Sequence, residues 1–117
     1  MDNVWVKHIT QERLAPIEGI RGRWRRWITP TGENWGMIVA VGLLEPGEAM
    51  GWHAHPEPEV FYVLEGNGQA QWKEGAVEHT VDIGPGMAFF KVGGVSHQMI
   101  NRGMTPLVGL AFKVGKV

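Results

Sequence analysis

The sequence predicts an all-β fold, an antiparallel sandwich or barrel, and three observations predict it. Seventeen glycines and seven prolines are spread over 117 residues without a fixed period. Such a distribution reads as turn punctuation and argues against long helices and low-complexity sequence. Between the turns lie short segments rich in Val, Ile, Phe and Trp, the composition of β-strands. No amphipathic helical period accompanies them, and many short strands with regular turns bury their apolar faces by closing into a sandwich or barrel.

The first predicted strand, 4–9, alternates Val4, Val6 and His8 with Trp5, Lys7 and Ile9, so it can pack one face while adding its backbone to a sheet. Glu12 to Glu18 can hold a helical turn, limited by Pro16. In the strand 23–29 and its approach, Arg21, Arg23 and Arg25 share one face and Trp24 and Arg26 the other. Charged side chains in this pattern guard an edge strand against pairing. The remaining strands are 37–44, 59–65, 68–73, 77–83, 87–91, 97–101 and 107–114. A turn at Glu65-Gly66-Asn67-Gly68 separates two of them, since glycine and asparagine tolerate positive φ. No repeat, linker or charge block divides the chain, and residues 1–117 are expected to form one domain.

Composition limits the classes of function. Eleven lysines and arginines balance twelve aspartates and glutamates, which gives no reason to expect general binding to nucleic acid or membrane. The Arg21 to Arg26 cluster with Trp24 and Trp27 could suggest RNA stacking, but no recognised nucleic-acid fold element accompanies it. One of these arginines can also reach a barrel mouth and pair with an anionic substrate. Without cysteine, disulfides, thiolate metal sites and cysteine nucleophiles are excluded, and metal ligands must be imidazole or carboxylate. The segment MDNVWVKHIT lacks a basic stretch followed by an apolar core, and no window approaches a membrane span. A soluble, cytoplasmic protein is expected.

The chemistry is concentrated in GEAMGWHAHPEPEVFYVLEG, residues 47–66. His53 and His55 are two apart, so on an extended strand both imidazoles face one ion. Residues 55 and 57 precede prolines, which keeps the segment extended. Glu59 opens the next strand and can add a carboxylate. Glu57 is its rival, held between two prolines; Glu59 is preferred because it leaves six residues before Gly66. A second stretch, GMAFFKVGGVSHQMIN, spans 86–101. There Gly93-Gly94 turns into a strand on which His97 and Met99 share a face. Three histidines and a carboxylate can hold Fe, Mn, Ni, Co or Zn and leave positions for water or substrate. His8 and His79 stand outside this pattern and are taken as packed or surface residues.

These two stretches resemble the paired motifs of the cupin superfamily, small single-domain bacterial members above all. The first motif is met at Gly47, His53, His55, Glu59 and Gly66. The second is met at Gly86, Gly94, His97 and Asn101, with Val92 in the usual proline position. The resemblance implies a double-sheet antiparallel jelly-roll barrel with one divalent transition metal ion on His53, His55, Glu59 and His97. It also implies a small-molecule substrate or ligand and a homodimer, since such cupins commonly pair. Cupin chemistry includes dioxygenases, isomerases, decarboxylases and dimethylsulfoniopropionate lyases. The chain is loosely similar to those lyases in its arginine-tryptophan strand and in Val60 to Gly66, yet their catalytic tyrosine position is Phe61, and Tyr62 is expected to face away from the metal. Phe61, Val63 and Met99 are expected to make the inward face apolar, which suits a small, partly hydrophobic substrate. A metal-dependent enzyme is therefore expected, a dioxygenase ahead of an isomerase or lyase, the alternative being a non-catalytic binding or sensor barrel.

Overall fold

The computed structural model describes residues 4–9, 14–17 and 20–115. They contain nine strands and no α-helix: β1 (Ala15–Ile17), β2 (Ile20–Ile28), β3 (Met37–Leu44), β4 (Glu59–Glu65), β5 (Gly68–Glu74), β6 (Val77–Ile83), β7 (Ala88–Lys91), β8 (His97–Ile100) and β9 (Leu107–Val114). A six-stranded sheet has the order β1-β2-β3-β9-β4-β7, and a three-stranded sheet the order β6-β5-β8. Every pairing is antiparallel. Chain neighbours are repeatedly split between the sheets, as in a jelly roll. The segment 49–53 widens the smaller sheet through bridges from Ala49 to Ile100 and from His53 to His97.

The core lies between the sheets, where Trp24, Leu44, Met50, Phe61, Val63, Ala70, Ile83, Met99, Leu107 and Ala111 form one buried cluster. Strand alternation produces it: on β4, Phe61 and Val63 are buried while Tyr62 is 43% exposed. Two glycines let the largest rings enter. Gly42 and Gly109 stand opposite each other across β3 and β9. A Cβ on Gly42 would lie 2.1 Å from the Trp24 ring, and one on Gly109 2.0 Å from the Phe61 ring. The two rings meet edge to face over this bare backbone, 6.5 Å between centroids.

The structure departs from the sequence reading at the N-terminal end. Residues 4–8 form no strand, and Val4, Trp5 and Val6 are exposed. Their alternation has no pairing strand among the described residues, and Trp5 instead stands beside Trp27 at 6.5 Å. The expected helical turn gives way to β1, which takes up the free side of β2. Within 12–18, residues 12, 13 and 18 lie outside the described residues. The arginine-bearing strand is therefore internal rather than an edge, flanked by β1 and β3. Its side-chain parity is as expected, and Arg23 pairs with Glu45 on the outer face.

Candidate metal centre

His53 and His97 come together because their backbones pair. His53 N–H donates to the His97 carbonyl at 3.1 Å and His97 N–H to the His53 carbonyl at 2.9 Å. An antiparallel pair of this kind puts both side chains on one face, and the rings stand 4.4 Å apart. His55 is fixed by the loop before β8: Gly94 N–H donates to its carbonyl at 2.8 Å. Gly93 must be glycine for this approach, since a Cβ there would lie 2.0 Å from the Pro56 carbonyl oxygen. The turn thus forms with Val92 in place of proline and locks the two motif stretches together.

Each imidazole is oriented through Nδ1. His53 Nδ1 lies 2.8 Å from the Gly51 carbonyl, His55 Nδ1 2.9 Å from the Glu57 carbonyl and His97 Nδ1 2.8 Å from the Val95 carbonyl. A carbonyl only accepts, so each Nδ1 carries the hydrogen, and in the neutral ring Nε2 keeps a lone pair. The Nε2 atoms of His55 and His97 are buried without a hydrogen-bond partner. One ligand atom from each of His53, His55 and His97 lies within 4.8 Å of the other two. Backbone carbonyls behind three converging lone pairs are the usual outer support of a metal-binding histidine set, and these residues can hold a metal ion.

Burial favours the neutral, ligating form. It pushes the His97 imidazole down to about 4 against the opposing pull of the Val95 carbonyl, and it lowers His53 as well. Glu59 stands beside two of the three rings, with Oε1 3.5 Å from His55 Nε2 and 3.7 Å from His97 Nε2, and is not part of the group of mutually close ligand atoms. The rival Glu57 stands 3.7 Å from His55 Nδ1, on the other side of that ring. Burial raises the Glu59 pKa, but Lys91 Nζ, 2.8 Å away, outweighs it, aided by His55 and Lys113, and the carboxylate is held below its ordinary value.

Lys91 and Lys113 are the residues that the sequence reading missed. Lys91 is 4% exposed, and Lys113 Nζ lies 4.0 Å from Glu59 Oε2. Register places Lys113, Glu59 and Lys91 in one row across β9, β4 and β7. The available signal was parity, because Lys113 follows Leu107, Gly109 and Ala111 on the inward side of its strand. A cavity of about 120 Å³ opens beside the histidines, lined by Trp24, Arg26, Met50, Ala111 and Lys113 among others. Phe61, Val63 and Met99 are buried in the core but do not line this cavity, and its charged lining departs from the apolar pocket expected of them. Asn101, fully buried, closes the second motif by donating to the Leu44 and Thr105 carbonyls and accepting from Gly103 N–H.

Residues 40–112 match the family model of the cupin domain. Among solved structures, the fold is similar to a Cupin 2 conserved barrel domain protein from Salinispora arenicola, with a TM-score of 0.77 and 16% identity over 97% of this chain and 91% of that one. A predicted oxalate decarboxylase from Thermotoga maritima aligns with a TM-score of 0.77 and 26% identity over 94% of this chain and 98% of that one. A protein with a double-stranded beta-helix domain from Klebsiella pneumoniae gives 0.73 and 16% over 97% and 90%. No protein of curated function matches the sequence.

Proposed function

The chain belongs to the cupin family, and we propose that it is a metal-dependent enzyme acting on a small organic molecule, with His53, His55, His97 and Glu59 as ligands. The observation that carries this reading is the convergence of three imidazoles whose Nδ1 atoms are all tied to backbone carbonyls. When bound, a divalent metal supplies Lewis acidity, or dioxygen activation if it is iron. Burial favours the neutral form of His53 and His97, Lys91 keeps Glu59 ionised, and a small cavity opens at the histidines. Phe61 stands inward where the lyases carry tyrosine, and Tyr62 faces solvent. Lyase chemistry that needs a tyrosine base at this position is therefore disfavoured.

A dioxygenase is the first reaction class tested. Protein purified without a histidine tag is analysed for metal, loaded with Fe(II), and monitored for oxygen consumption with small organic acids. Metal bound at one equivalent with oxygen uptake supports it; an unreactive protein that retains a bound small molecule supports a binding barrel instead. Decarboxylation of a small acid is the rival reaction, supported by the Thermotoga maritima relative described as a predicted oxalate decarboxylase. We also propose a homodimer, supported by the exposed Val4 and Val6 at the N-terminal segment. Sedimentation near 13.0 kDa, the mass of one chain, would reject it.

A further inference from the structure

We propose that the cavity beside the histidines binds a small carboxylate, held by Arg26 and Lys113; the proposal rests on the metal-enzyme reading and names its substrate class. Three cations from β2, β7 and β9 stand toward the cavity side of the six-stranded sheet, Lys91 buried, Lys113 half-buried and Arg26 exposed at the rim, against the single carboxylate of Glu59. That carboxylate is already taken by Lys91 at 2.8 Å. Lys113 stands farther off, at 4.0 Å from the second oxygen. Arg26 has no ion-pair partner among the described residues. Both Arg26 and Lys113 line the same cavity as His53, His55 and Glu59.

Register explains how they meet. Arg26 pairs with Ala40 on β3, Ala40 with Ala111 on β9, and Lys113 is the next inward residue of β9. The two alanines between the cations leave the space that a larger side chain would fill, and both line the cavity. The volume of about 120 Å³ is that of roughly four liquid waters, enough for a carboxylate with a short apolar stem against Trp24, Ile38 and Met50. Arginine binds carboxylates through two parallel N–H donors, whereas lysine supplies a point charge. A metal dication held by the histidines would add to this positive excess, and a neutral ligand would leave the cations uncompensated.

The test is calorimetric titration of zinc-loaded protein at low ionic strength with propionate, its uncharged isostere propionamide, and inorganic phosphate. Propionate is expected to bind at least tenfold more tightly than either of the others. Arg26→Gln and Lys113→Gln are each expected to weaken it about tenfold, with circular dichroism unchanged and zinc held at saturation in every titration, because Lys113 also stands beside Glu59. Equal binding of propionate and propionamide, tighter binding of phosphate, or unaltered affinity in both variants would overturn the proposal. If wild-type protein takes up no zinc, the metal-enzyme reading fails by itself. The same titration on metal-free protein then still decides whether Arg26 and Lys113 select the carboxylate.

Discussion

Acidification of the metal-free protein should destabilise it through the clustered histidines His97 and His53. His97 is 1% exposed, and burial lowers its imidazole from 6.5 to about 4. The unfolded chain therefore binds a proton near pH 6.5 that the folded chain refuses until near pH 4. Stability rises with pH wherever the unfolded state holds more protons, so this contribution is complete above pH 6.5 and is lost as the pH falls toward 4. At about 1.4 kcal/mol per pH unit, the loss from His97 reaches about 3 kcal/mol. His53, also lowered by burial, acts in the same direction. With a urea m-value of about 2 kcal/mol/M, the midpoint should fall by about 1.5 M between pH 7 and pH 4. Glu59, whose pKa is depressed below the ordinary 4.5, adds its own loss only at the acid end of this range. Urea denaturation at half-unit pH steps measures the profile, and a His97→Leu variant, which cannot titrate at that position, should lose most of the slope between pH 6.5 and 5. An unchanged midpoint between pH 7 and 5, or an equal slope in the variant, would refute the assignment of buried neutral imidazoles.

Three further outcomes are expected. His97→Ala removes one of the converging Nε2 atoms and should reduce zinc affinity by more than the 10- to 100-fold typical of outer-shell changes; full zinc content at wild-type affinity, measured by competition with a chelator, would show that His97 is not a ligand. Lys91→Met strands the Glu59 carboxylate and should cost the metal-free protein about 3–5 kcal/mol, and zinc should stabilise this variant more than wild type if Glu59 ligates; equal stabilisation excludes Glu59 from the set. Gly109→Ala drives a methyl into the Phe61 ring and should cost about 1–3 kcal/mol by overpacking, read as a lower thermal midpoint, whereas an unaltered midpoint would mean that the ring moves freely.

The sequence alone determined what short-range chemistry can specify. Glycine and proline spacing marked the turns, and eight of the nine expected strands recur with shifts of a few residues at their ends, because alternation is a local property. The histidine pair two residues apart, the pre-proline extension and the parity of Phe61 against Tyr62 are local in the same sense. Tertiary structure alone decided the rest. Residues 4–8 alternate like a strand but have no pairing strand among the described residues, and β1 holds the side of β2 that the arginines were expected to guard. Pairing depends on which backbone is near, and no local pattern states that. The Lys113, Glu59 and Lys91 row is a register across three strands, assembled from residues as far apart as 54 positions. Arg26 and Lys113 share a cavity only because Ala40 and Ala111 separate them in space, and the charge of that cavity is a sum over strands that the linear order does not display.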